Sequence, residues 1–97
     1  MTQLLARVTI HNGSYDEYQA LHKSMLAIGF RRYIAGGNGI QYWLPDATYV
    51  GESNKAPVDV AAHVSRIAAQ CAPSKTAPEA FVCVWTSAAW QGLRQAT

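Results

Sequence analysis

The sequence predicts a small α+β domain, and three observations lead to that class. Segments that alternate apolar and polar residues flank two stretches with helical periodicity, in the order strand, helix, strand, strand, helix, strand. Glycine and proline clusters separate these segments, as expected of turns. The 97 residues match the length of one domain, and no linker interrupts them. We therefore expect a single domain over residues 1–97.

A half-buried strand and a capped helix are predicted at the start of the chain. Between Leu4 and Ile10, apolar residues alternate with polar ones. Ser14 and Glu17 then form the S-x-x-E pattern of a capping box, so a helix begins there. Its apolar residues form one stripe, at Tyr18, Leu21, Met25 and Ile28. Gly29 fits the left-handed residue that ends such a helix.

The middle of the chain is predicted to be a hairpin whose register the sequence leaves open. Residues 30–35 are rich in aromatic and branched side chains and indicate a strand, and the glycines of segment 36–39 indicate a turn. Residues 40–44 continue extended, Pro45 and Asp46 make a second turn, and residues 47–52 indicate a further strand. Segment 40–44 either lengthens the preceding strand or adds a fifth.

A second helix and a last strand complete the pattern. Pro57 suits the first turn of a helix that continues to about Cys71, and its apolar residues Val60, Val64, Ile67 and Cys71 form a stripe that is expected to face the sheet. Residues 80–86 form the last strand, and because apolar side chains alternate onto both of its faces we expect an interior strand. The residues after it predict one irregular turn that returns Trp90 to the body of the domain. The β-α-β-β-α-β order is that of a ferredoxin-like sandwich, with a four-stranded antiparallel sheet and two helices on one face.

Composition narrows the class of partner. The net charge is only +2, which argues against a dedicated DNA-binding protein. Charged residues make up 14% of the chain and hydrophobic ones 49%, so much of the surface must be uncharged, which favours a homodimer. The sequence contains no run long enough for a membrane span and no secretion signal at its start, so we expect a cytoplasmic protein without a membrane partner. Cys71 and Cys83 lack ligand spacing and are predicted to be ordinary small apolar residues.

The candidate chemistry lies where the first helix meets the second strand. RNA cleavage through the 2′-hydroxyl needs a base, an acid and a cation near the phosphate, and histidine exchanges protons near neutral pH. His22 is the candidate catalytic residue, and Lys23, Arg31, Arg32 and Tyr33 are the candidate RNA-binding residues. Each also has a plainer interpretation: His22 as a packing residue at the edge of the apolar stripe, the cations as solvated side chains, and Tyr33 as part of the core.

The remaining candidates for chemistry are weaker. His11 closes a strand, and His63 lies on the second helix beside Arg66. The six acidic residues are scattered, so no magnesium site is predicted. The glycine-rich segment 36–39 lacks the lysine and the following helix of a phosphate-binding loop. We therefore expect neither a metal nor another cofactor.

A set of residues between positions 18 and 49 resembles the pattern of the GhoS-type endoribonuclease antitoxins of type V toxin–antitoxin systems. They are Tyr18, Leu21, His22, Met25, Gly29, Phe30, Arg32, Ile34, Gly39, Tyr42, Leu44, Pro45, Ala47 and Tyr49. The resemblance covers residues 5–86 and is architectural after residue 49. It implies a ferredoxin-like fold, similar to that of the small CRISPR-associated ribonucleases, and an antitoxin that cleaves the messenger of a small membrane-acting toxin. A basic residue on the first helix is tied to activity in that family, and His22 stands at the matching position, with Lys23 beside it.

Three functional hypotheses follow. The first is a protein that binds single-stranded RNA and acts as a metal-independent endoribonuclease, with His22 transferring a proton. The second is a noncatalytic interaction module that associates with itself through its sheet. A small-molecule regulatory domain is the third, although no residue pattern indicates a ligand site.

Overall fold

The computed structural model describes residues 1–96, and these residues form five strands and two helices. In chain order the elements are β1 (Thr2–Thr9), α1 (Tyr15–Ala27), β2 (Tyr33–Ala35), β3 (Gln41–Trp43), β4 (Thr48–Ser53), α2 (Pro57–Cys71) and β5 (Glu79–Val84). All strand pairs are antiparallel, so the predicted α+β class is confirmed. Neither helix in residues 1–96 has the length and apolar character that a membrane crossing requires.

The strands form a three-stranded sheet and a separate hairpin. β1 lies in the centre of the sheet, between β4 and β5, while β3 is the one strand among residues 1–96 that pairs with β2. The expected fourth strand of the main sheet is reduced to a single bridge, in which Arg31 and Val50 exchange two backbone hydrogen bonds of 2.9 Å. Beyond this bridge the Arg32 carbonyl accepts from the Leu44 amide at 2.8 Å, so the chain turns away from β4 and into the hairpin.

The hairpin settles the register that the sequence left open. Tyr33 lies opposite Trp43, and Ala35 lies opposite Gln41. The predicted strand over residues 30–35 is therefore regular only in its second half, because its first half follows the end of α1 and meets β4 at one residue. Segment 40–44 forms its own strand, β3, instead of lengthening the one before it.

Both helices pack on the same face of the sheet. Leu4, Ala6 and Val8 of β1, together with Ile10 just after the strand, form one core cluster with the buried Tyr49 of β4. α1 contributes Leu21 and Met25 to this cluster. α2 contributes its predicted stripe, with the buried residues Val60, Val64 and Ala68 and the partly buried Ile67 and Cys71. The stripes read from the sequence thus identify the inward side of both helices.

Close packing at Gly51 holds the end of α1 against β4. A Cβ atom at this position would lie 2.6 Å from the Gly29 carbonyl oxygen and 3.1 Å from the Phe30 ring. Gly29 itself has φ +88°, the left-handed conformation expected at the helix end. The Phe30 amide then donates to the Met25 carbonyl at 2.9 Å, and the Phe30 ring is buried. This packing sets where residues 31–33 begin.

The prediction that the last strand is interior is wrong. β5 lies at the edge of the sheet, with β1 as its only neighbour among the strands of residues 1–96. Ala80 and Val82 pack against the core, but Phe81 and Val84 are 63% and 50% exposed. Apolar side chains alternate onto both faces of β5 although the helices cover only one of these faces, and no strand within residues 1–96 pairs along its outer edge.

The segment after β5 folds back onto the hairpin. The rings of Trp90 and Tyr42 lie 5.6 Å apart between centroids, so Trp90 returns to the body of the domain as predicted. Farther along, the Trp43 amide donates to the Arg94 carbonyl and the Ala96 amide donates to the Gln41 carbonyl, both at 2.8 Å. The end of the described chain therefore runs beside β3.

Candidate functional site

A well-defined helix start fixes the position of His22. The Glu17 amide donates to the Ser14 hydroxyl at 3.1 Å, and the Ser14 amide donates to the Glu17 carboxylate at 2.8 Å, as a capping box requires. About one turn after Glu17, Leu21 is fully buried. His22 follows Leu21 and therefore lies at the margin between core and solvent, half-buried.

A short hydrogen bond orients the imidazole. His22 Nδ1 lies 2.6 Å from the hydroxyl oxygen of Tyr49, which projects from β4 into the core. The two ring centroids are 5.7 Å apart, and the Tyr18 ring lies 6.4 Å from the imidazole on its other flank. With Nδ1 occupied, Nε2 is the nitrogen left for other partners.

The surroundings of His22 favour its neutral form. Partial burial lowers the pKa of His22 below its ordinary 6.5, the positive charge of Arg32 lowers it further, and the carboxylate of Asp46 partly opposes both effects. Burial raises the pKa of Tyr49, so its phenol stays protonated at neutral pH. At pH 7 the pair is thus a neutral imidazole bonded to a neutral phenol.

The two arginines are held by stacking on the hairpin's aromatic rings. The Arg31 guanidinium lies 5.8 Å from the centre of the Tyr33 ring, and that of Arg32 lies 5.3 Å from the centre of the Trp43 ring. Tyr33 and Trp43 are cross-strand neighbours that meet edge to face, with centroids 6.2 Å apart. The result is a continuous array at the start of the hairpin, in which the two rings lie in the middle and one cation stacks on each of them.

Two grooves, each of about 490 Å³, open on either side of His22 and Arg32. The first, the polar groove, is also lined by Arg7, Thr9, Tyr15, Tyr18, Gln19 and Asp46. The second, the aromatic groove, is also lined by Lys23, Leu26, Phe30, Arg31, Tyr33 and Trp43. His22 and Arg32 line both grooves and form the ridge between them.

The five residues singled out from the sequence all line the aromatic groove: His22, Lys23, Arg31, Arg32 and Tyr33. Sequence reasoning missed three further contributors, namely Trp43, Asp46 and Arg7, and it missed Tyr49 as the partner of His22. Trp43 is one of several aromatic residues between positions 33 and 49, and without the hairpin register it could not be paired with Tyr33. Arg7 and Asp46 lie far from His22 in sequence, and no local pattern links them to it.

The other two histidines lie outside both grooves. Nε2 of His11 is 3.5 Å from the Glu79 carboxylate in an exposed pair. His63 lines a separate surface hollow on α2 together with Lys55, Asp59 and Arg66. Cys71 and Cys83 are free thiols. Over residues 1–96, no three histidine, cysteine or acidic side chains gather into a group that could hold a metal ion.

The chain matches no protein-family model, no curated protein and no solved structure.

Proposed function

We propose that this protein binds single-stranded RNA across the ridge between its two grooves and cleaves it as a metal-independent endoribonuclease. The observation that carries the proposal is the ridge itself. A neutral, oriented imidazole stands beside the Arg32 guanidinium, and Lys23 and Arg31 line the adjoining groove. A base and a cation near the phosphate are two of the three groups that cleavage through the 2′-hydroxyl requires, and water takes the part of the acid.

In the proposed reaction, His22 Nε2 takes the proton of the 2′-hydroxyl as its oxygen attacks the adjacent phosphorus. The new 2′-O–P bond forms as the P–O5′ bond breaks, leaving a 2′,3′-cyclic phosphate, and the departing 5′-oxygen takes a proton from water. Nε2 can accept a proton only when Nδ1 carries the ring hydrogen and donates it to the Tyr49 hydroxyl. Arg32 stabilises the negative charge that builds on the phosphate oxygens.

The aromatic groove is the proposed binding site for an unpaired base. Bases stack on aromatic rings and on guanidinium planes, and the array of Arg31, Tyr33, Trp43 and Arg32 offers both kinds of surface. We expect Trp43→Ala to weaken RNA binding by about 1–3 kcal/mol, the usual value of one stacked base. Replacing Arg31 or Arg32 should instead reduce the salt dependence of binding by about one unit of slope each.

The finer architecture and the biological role belong to the same proposal. The element order and the Arg31–Val50 bridge beside β4 support a ferredoxin-like fold in which the fourth strand has shrunk to one residue. The residues that resemble the GhoS-type antitoxins support cleavage of a toxin messenger in the cytoplasm. A neighbouring gene that encodes a short membrane peptide would strengthen this role, and a neighbour of another kind would remove it.

Cleavage of labelled single-stranded RNA in EDTA tests the reaction. We expect cleavage by the unmodified protein, loss of it in His22→Ala, and retention in His63→Ala, which removes an exposed histidine outside the grooves. The product should carry a cyclic phosphate. Equal cleavage by the His22→Ala variant, or loss of cleavage in EDTA, would contradict the proposal.

A second candidate function is a noncatalytic module that associates with itself through its sheet. The observation in its favour is the exposed apolar edge strand β5, with Phe81 and Val84 open to solvent. A stable dimer that does not cleave RNA would favour this candidate, whether or not the dimer binds RNA.

A further inference from the structure

Strand β5 leaves one edge of the three-stranded sheet with free backbone groups. The Trp85 amide donates to the Gln3 carbonyl at 3.2 Å, and Leu4 lies opposite Val84, so the odd-numbered residues of β5 bond to β1. The N–H and C=O groups of the even-numbered residues therefore point away from the sheet. These are the groups of Ala80, Val82 and Val84, and no strand within residues 1–96 pairs with them.

This edge has none of the features that usually protect an exposed strand. Natural sheets guard their edges with lysine, proline, a bulge or a covering segment. β5 runs from Glu79 to Val84 with a single charge, at its first residue, and with no lysine and no proline. Its register with β1 is continuous over residues 79–84, which leaves no bulge. Phe81 and Val84, on opposite faces, are both at least half exposed.

We propose that β5 pairs with β5 of a second copy of this chain, antiparallel, around a two-fold axis at Val82. The pairing requires even-numbered residues to face even-numbered residues, because only those carry free hydrogen-bonding groups. An axis at Val82 provides three such pairs: Val82 with its own copy, and Ala80 with Val84 in each direction. At two bonds for each pair this makes six bonds, whereas an axis at Phe81 or Cys83 leaves only two pairs and four bonds.

The same register covers the exposed side chains of the strand. Phe81 lies opposite Cys83 of the second copy, at a pair without hydrogen bonds, where side chains come closest. The two phenylalanines and two cysteines then form one apolar row on the sheet face away from the helices. A second copy is the occupant that the strand favours, because its only charge lies at one end and its apolar centre is complementary to itself.

The inference rests on the second candidate function, which it makes specific, and it is compatible with RNA cleavage because β5 lines neither groove around His22. The two proposals therefore fail separately. A monomer that cleaves RNA would overturn the strand pairing alone, and a dimer that leaves RNA intact would overturn the cleavage alone.

Sedimentation equilibrium over a concentration series tests the pairing. We expect the unmodified chain to approach twice its mass of 10.6 kDa. Phe81→Lys should remain monomeric, because each copy would place a charged lysine in the apolar row beside the two-fold axis, diagonally across from the lysine of the other copy. Val58→Lys is the matched control: Val58 is 74% exposed on α2, so it adds the same charge away from the edge and should still dimerise. A single-chain mass for the unmodified protein at every concentration would overturn the proposal, as would equal effects of the two substitutions.

Oxidative cross-linking tests the register. In a Cys71→Ser background, Phe81→Cys places a new thiol opposite Cys83 of the second copy, so mild oxidation should yield a covalent dimer. That dimer should disappear when Cys83→Ser is added. The Cys71→Ser chain with Phe81 intact should not cross-link, because an axis at Val82 sets the two Cys83 residues diagonally. Efficient cross-linking through Cys83 alone would move the axis to Cys83 and overturn the proposed register.

Discussion

The hydroxyl of Tyr49 should contribute both to stability and to the orientation of His22, and Tyr49→Phe isolates it. The ring is fully buried and would stay in place, so the substitution removes only the oxygen that lies 2.6 Å from His22 Nδ1. A neutral hydrogen bond contributes about 1 kcal/mol net, and His22 is half-buried, so water can reach the nitrogen that loses its partner. We expect the free energy of unfolding to fall by about 1 kcal/mol and the Tm by about 5 °C.

Tyr18→Phe is the control for this experiment. The Tyr18 hydroxyl accepts from the Ile10 amide at 2.9 Å and donates to the Ile10 carbonyl at 3.2 Å. Its loss should cost about 1–2 kcal/mol in stability. It should leave the imidazole where it is.

Thermal unfolding gives the stability of both variants, and the ¹⁵N NMR signals of the imidazole give its tautomer and environment. Tyr49→Phe should lower the Tm and change the His22 signals, whereas Tyr18→Phe should lower the Tm and leave the His22 signals unchanged. Unchanged Tm and unchanged His22 signals in Tyr49→Phe would refute the reasoning, as would equal changes of the His22 signals in both variants.

The remaining predictions concern pH, packing and the helix start. The pKa of His22 is lowered in the folded protein, so the contribution of the neutral imidazole to stability is complete above pH 6.5 and is lost as the pH falls through the folded-state pKa. In denaturant titrations, the free energy of unfolding should therefore fall less steeply with decreasing pH in His22→Gln than in the unmodified protein. An equal decline in both proteins would contradict this. Gly51→Ala should lower the free energy of unfolding by about 1–3 kcal/mol in the same titrations, because its Cβ would lie 2.6 Å from a backbone oxygen. A loss near zero would show that the backbone shifts to make room for the Cβ without a cost in stability. Ser14→Ala should cost about 1 kcal/mol in thermal unfolding and Ser14→Gly less; the reverse order would argue against the cap.

The parts of the fold that follow local rules could be predicted from the sequence. The capping box at Ser14 and the apolar stripe of α1 located that helix, and the stripe of α2 identified its buried side. These succeed because helix starts and faces depend on residues three or four positions apart. The hairpin register and the edge position of β5 depend on partners far away in sequence, and no periodicity within a strand records which neighbours it has.

The candidate site likewise contains some residues that local sequence patterns reveal and others that they do not. The basic residues beside His22 could be found because they lie within eleven positions of it, at the end of one helix and the start of the next segment. Tyr49 could not be assigned to His22, because the contact spans 27 positions and an aromatic residue in a strand is most often core. Trp43 lies on a different strand from Tyr33, and only the pairing of these two residues brings its ring to the groove wall.

The strand that carries Trp43 is held on its outer side by residues 94–96, about fifty positions later in the chain. Closing so long a loop is entropically costly and comes late in folding. The ribosome must therefore have released almost all of these residues before the aromatic wall can be completed. The main sheet has the same requirement, because Leu4 of β1 lies opposite Val84 of β5. A nascent chain would therefore complete its sheet only shortly before it could engage a ligand at this wall.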